Sequence, residues 1–142
     1  MAENYQDCLD IEAEHSLWRR VMPNQWVVDE NRGGILRPSS AAFENCIDGD
    51  PMSSFWAERH KECGLDESHI LRNHDGFSIA SFKARAARDL HQIIHLDPIT
   101  GQENPLDNQP AHVLVVGHKP KKSVSKKLAL ASIWIVKPAT KT

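Results

Sequence analysis

Near the start of this chain short apolar clusters are broken by Arg19-Arg20 and by Pro23-Asn24. Residues 17–21 (L-W-R-R-V) and 25–29 (Q-W-V-V-D) predict two short strands around Pro23, because Val and Trp suit a half-buried pleated surface. Residues 31–34 (N-R-G-G) predict a turn whose glycines are free to take positive φ. Residues 35–37 then extend into Pro38, which keeps Arg37 out of helix. A helical signature follows over residues 51–64. Ser53 or Ser54 offers a cap, Phe55, Trp56, Arg59 and Cys63 fall near one stripe, and Gly64 offers a left-handed stop. Residues 66–73 predict a further short helical turn.

Residues 77–82 (F-S-I-A-S-F) are strand-like, yet Ser81 equally caps a helix through His95. In that helix Phe82, Ala86, Leu90 and Ile94 form a core stripe and Asp97-Pro98 ends it. Residues 98–111 form a long polar loop with three prolines, a length that is often functional. Residues 112–116 (H-V-L-V-V) predict the best strand, apolar enough to be central. Ser123 or Ser125 opens a last helix through Val136, with Val124, Leu128, Ala131 and Ile135 inward. Strands and helices are mixed rather than strictly alternating, which predicts the α+β class. The expected form is a single compact domain, a small mixed or antiparallel sheet packed with about three helices. Residues 1–16 read as an acidic N-terminal arm or helix, 17–138 as the domain and 139–142 as a frayed tail.

Composition adds compartment and charge. The 142 residues, 40% hydrophobic and 25% charged, suffice for one core without metal or disulfide staples. Cys8, Cys46 and Cys63 are odd in number and share no CxxC spacing. The start is acidic where a secretory leader is basic and then apolar. The longest apolar run, residues 128–136, is broken by Ser132 and too short for a bilayer. The expectation is a cytoplasmic protein with reduced thiols and no membrane contact. The net charge of −2 divides unevenly: residues 1–71 carry −8 and residues 72–142 carry +6. Such halves attract each other within one fold, or offer a basic end to an anionic partner.

The densest candidate tract is residues 31–43, N-R-G-G-I-L-R-P-S-S-A-A-F. Arg37 offers a planar fork for phosphate or carboxylate, and Ser39 and Ser40 add short donors. Arg19, Arg20 and Arg32 add charge if the flanking strands pair. The alternative is a hairpin turn with a solvated arginine. Neither G-x-x-x-x-G-K-[ST] nor G-x-G-x-x-G occurs, so a P-loop or Rossmann site is not supported.

L-W-R-R-V-M-P-N-Q-W, R-P-S-S-A-A-F, D-G-D-P-M-S, L-D-P-I and P-A-H-V-L-V-V-G resemble a group of small, uncharacterised bacterial proteins over most of residues 17–136. That resemblance implies no activity. The order of Arg20 followed by Ser39 or Ser40 is also similar to the ADP-ribosyltransferase superfamily. Its later catalytic Glu would have to fall on Glu103, the only glutamate after Glu67.

Histidines form a second constellation. His91 and His95 are i, i+4 on the expected helix with Asp97 close behind, a spacing that suits a divalent metal. Cys46, His60, Cys63 and His69 also have ligand types, at irregular spacing. His112 and His118 bracket the central strand, and His112 is the candidate acid–base group. The third constellation is the basic loop of residues 119–127. Lys119, Lys121 and Lys122, with His118 before them and Lys126 and Lys127 after, suit an anion or a phosphate backbone.

Three function classes follow. The first is an accessory or binding module engaging a protein or anionic partner through its charge-polarised surface, with no cofactor. The second is a small nucleotide- or NAD-using transferase or hydrolase in which Arg20, Arg37, Ser39, Ser40 and His112 converge. The third is a nucleic-acid-binding protein using residues 119–127 and the basic segment around Lys83, Arg85 and Arg88. The first is favoured, since no nucleophile–base–orienter set assembles from spacing alone.

Overall fold

Residues 17–21 belong to the strand about which the sheet is built. This strand, β1 (Ser16–Val21), has an antiparallel neighbour on each side in the computed structural model, which describes residues 5–45, 51–117 and 123–138. On one side lie β4 (Met52–Trp56), β7 (His112–Val116) and the edge strand β6 (Ile93–Leu96). On the other lie β5 (Ser78–Lys83) and the edge strand β8 (Ile133–Val136). Every pairing in this six-stranded sheet is antiparallel. A separate hairpin joins β2 (Trp26–Asp29) to β3 (Ile35–Pro38). Gly33 and Gly34 make its turn possible, at φ of 76° and 81°. The chain is therefore an α+β domain, with an antiparallel sheet.

The period of two along each strand divides the sheet into two faces. Leu17, Val21, Met52, Phe82, Val113 and Val115 point to the larger core. Over that face lie α4 (Ser123–Ala131), through Val124, Leu128 and Ala129, and the 3-10 turn Ser40–Phe43, through Ala42 and Phe43. Trp18, Phe55 and Ile79 point the other way, under α1 (Ala57–Glu62) and α2 (Glu67–Leu71), with Ala57 and Ile70 completing a second core.

Three expected helices are shorter than their patterns suggested. Residues 52–56 are strand, because M-S-S-F-W supplies a two-sided alternation between β1 and β7, and helix begins only at Ala57. The helix expected to run to His95 is α3 (Ala84–Arg88) alone. His91 takes a left-handed conformation at φ 63°, Gln92 N–H bonds back to Ala87 O at 3.1 Å, and Ile93-Ile94 pair with β7. The last helix stops at Ala131, and the β-branched run that follows joins the sheet as β8. No helix of the described residues is long and apolar enough to cross a membrane.

Candidate anion-binding cleft

The alternation of β1 places Trp18 and Arg20 on the face covered by α1 and α2. The Arg20 guanidinium lies 5.4 Å over the Phe55 ring, and Nη1 donates to Ile70 O at 3.2 Å near the end of α2. Burial pushes its pKa down from the free value, and it makes no ion pair with any described carboxylate. Beyond α2 the chain turns sharply, with Asn73 in the left-handed region at φ 64°. This turn brings His74 beside Arg20. His74 Nδ1 is 2.7 Å from Arg72 O and 3.2 Å from Arg20 Nη1. A carbonyl accepts only from N–H, so Nδ1 carries the proton. The approach of Arg20 is then a packing contact, and the lone pair of His74 sits on Nε2.

The opposite wall comes from the loop of residues 98–111. Ile99 and Gln109 close it with two backbone bonds of 3.0 and 2.7 Å, and Asn104 Oδ1 caps its 3-10 turn by accepting from Leu106 N–H at 3.0 Å. Asp107 on that turn forms an ion pair with Arg72. Between these walls is a cleft of about 210 Å³. Arg20, Arg72, His69 and His74 line it on one side, and Asp107 and Gln109 on the other.

Two further histidines stand behind this cleft. His112 Nδ1 is 3.1 Å from both Asp97 O and Asp97 Oδ2, so Nδ1–H is the donor and Nε2 holds the lone pair. Its ring meets Phe55 edge-on at 5.8 Å, and its backbone N–H donates to Gln109 O at 3.2 Å. Arg20 and His112 thus flank one phenylalanine on one face.

His60, only 1% exposed, donates from Nε2 to Asp66 O at 2.7 Å, and its ring centroid lies 5.4 Å from that of His69. The buried Nδ1 atoms of His60 and His69 have no hydrogen-bond partner. Burial, with His69 adding repulsion, holds the His60 pKa below 6.5 despite the favourable Asp66 carbonyl, so the ring is neutral at pH 7. An unfolded chain takes up this proton near pH 6.5 and the folded one only at lower pH. Stability is therefore expected to fall as pH drops below about 6.5. Urea unfolding at pH 7.5, 6.5 and 5.5 checks this, and His60→Leu should flatten the dependence. An equal slope in the variant would remove His60 as its source.

The remaining sequence candidates lie elsewhere. Arg37 donates from Nε to Asp29 Oδ2 at 2.9 Å and from Nη1 to Pro38 O at 2.9 Å, inside the hairpin. Ser39 and Ser40 open the turn on the opposite face of the sheet from Arg20 and His112, and Ser39 N–H donates to Gln25 O at 2.8 Å. The convergence of Arg37, Ser39 and Ser40 with Arg20 and His112 is thus corrected: the sheet separates them. Glu103 is exposed in the 98–111 loop.

His91 and His95 do not share a helix. His91 is exposed at the end of α3, His95 lies in β6 and accepts from Gln6 N–H at 3.1 Å, and Asp97 holds His112. Among the described residues no group of three or more ligating side chains gathers. Cys46, His118, Lys119, Lys121 and Lys122 lie outside the described residues, while Cys8 and Cys63 are free thiols.

Sequence reading passed over Arg72 and His74 altogether. The signal was present: His60, His69, His74 and Arg72 fall within residues 60–74. No family model matches this chain, and neither do curated proteins or solved structures. The cleft therefore has to be read from its own chemistry.

Proposed function

We propose that the protein is a binding module for an anionic ligand, held in the cleft between Arg20 and Arg72. The observation that carries this reading is Arg20. Arg20 is a half-buried guanidinium with no counter-charge among the described residues, and a phosphate or carboxylate entering the cleft supplies one. Arg72 is already balanced by Asp107, which fixes its position while leaving the planar group at the cleft wall. A volume of about 210 Å³ suits a small anion, or the charged end of a larger molecule.

Calorimetric titration with inorganic phosphate and with a mononucleotide tests the proposal. Arg20→Ala should weaken binding about 10–100-fold, the worth of one charge-assisted hydrogen-bond set. Arg37→Ala should leave it unchanged, because that side chain is spent inside the hairpin. Absence of binding to either probe, or equal binding by the Arg20 variant, would overturn the reading.

A further inference from the structure

We infer that the ligand of this cleft is a sugar phosphate, its phosphate on Arg20 and its hydroxyls on His74, Asn73, Gln109 and Asp107. The inference rests on the anion-binding reading and names its ligand class. With the phosphate met by Arg20, the rest of the lining decides what the phosphate is attached to. Among the described lining residues only Leu106 is apolar, and it is 58% exposed. The nearby Phe55 ring lies under the Arg20 guanidinium, 5.4 Å from its centroid. Pockets for flat bases and alkyl chains are mostly apolar or aromatic, and this one is polar on both walls.

Its polar groups match hydroxyls. A hydroxyl donates one hydrogen bond and accepts others, so a site that reads several of them mixes donors with acceptors. His74 donates from Nδ1 to Arg72 O, which leaves Nε2 as an acceptor. The side-chain amides of Asn73 and Gln109 each offer a donor and an acceptor, and neither has a hydrogen-bond partner among the described residues. Backbone geometry places both: the left-handed turn at φ 64° for Asn73, and two backbone bonds to Ile99 for Gln109. Asp107 turns Oδ1 to Arg72, which leaves Oδ2 to accept. Its charge also sets the orientation. A phosphate is repelled by Asp107 and drawn to Arg20, so the hydroxyl-bearing ring faces Asp107 and Gln109.

Calorimetric titration with methyl phosphate, ribose 5-phosphate and adenosine monophosphate tests this. Ribose 5-phosphate should bind about 10–100-fold more tightly than methyl phosphate, the effect of roughly two hydroxyl contacts. Asn73→Gly keeps the left-handed turn. That variant and Gln109→Ala should each cut the preference about 3–10-fold while methyl phosphate binds as before. Arg20→Ala should weaken both ligands alike.

Three results overturn the inference: equal affinity for methyl phosphate and ribose 5-phosphate, a preference unchanged in both amide variants, or tighter binding of adenosine monophosphate than of ribose 5-phosphate. The last would assign the lining to a base. In each case the anion-binding reading stands as long as methyl phosphate binds. Silence toward all three probes and toward inorganic phosphate removes both readings.

Discussion

Phe43→Ala is expected to destabilise the protein by about 3–5 kcal/mol, the usual cost of emptying a buried aromatic site. In a chain of this size that lowers Tm by roughly 10–20 °C. Phe43 is fully buried, and its ring meets Phe82 of the central sheet edge-on at 5.8 Å. The turn that carries it cannot settle into the vacated space, because it is tied down from several sides. Arg19 Nε donates to Ala42 O at 2.8 Å, and Nη1 donates to Ser53 O at 2.7 Å on the neighbouring strand. Gln25 holds the same turn through Ser39 N–H and Ala41 O. Little collapse means a large residual cavity, which places the cost in the upper part of the range. Denaturant unfolding measures it. A loss below about 1 kcal/mol, beneath the range for buried aromatics, would mean that residues 31–43 do not wedge the hairpin against the core.

That expectation differs from what residue types alone suggest for the tract. Two arginines, two glycines and two serines look like an anion loop when read in one dimension. In the fold, Asp29 takes up Arg37, the glycines serve the hairpin turn, and Ala42 and Phe43 at its apolar end enter the core. Nothing local to the tract says that Asp29 will lie opposite. That pairing depends on hairpin register, which sets Asp29 against Ile35.

Short runs rich in Val, Trp and Leu were legible: β1, β2 and the H-V-L-V-V strand fall where residue type put them. The misread elements are those where a helix of one or two turns abuts a strand. In residues 52–62, 78–88 and 123–136 the apolar spacing of strand and helix runs together into one apparent stripe. Tertiary pairing then decides where the period changes. The cleft was harder still, for it draws Arg20 from β1, His74 from a left-handed turn and Asp107 from the polar loop. Only the sheet brings residues so far apart together.

Arg88→Ala is the second large effect expected, a loss of about 2–3 kcal/mol with the segment of residues 5–15 becoming an early site of proteolysis. This segment reads in sequence as an acidic arm or helix, yet Ile11 is fully buried in the main core. Its anchor is the Arg88 guanidinium. Nη1 donates to Ile11 O at 2.6 Å, Nη2 donates to Cys8 O at 2.9 Å, and Nε lies 3.1 Å from Asp7 Oδ2. Asp7 Oδ1 in turn accepts from Ile94 N–H at 2.8 Å, and Cys8 N–H donates to Ile94 O at 2.7 Å. The arm therefore covers the open edge of β6, a place where unpaired backbone groups would otherwise invite another strand. Glu14 and Arg85 form a second, exposed ion pair between the same two segments. Part of the charge division between the two halves of the sequence is thus spent inside the molecule, acidic arm against basic helix. Truncating Arg88 leaves two carbonyls and a carboxylate without their shared donor. The side chain is about a quarter exposed, so water recovers some of that loss, which keeps the figure below the cost of breaking a fully buried pair. Arg88→Lys separates charge from geometry. Lysine keeps the charge but cannot reach three acceptors in one plane, so it should restore only part of the stability. Full rescue by lysine would mean that attraction alone holds the arm.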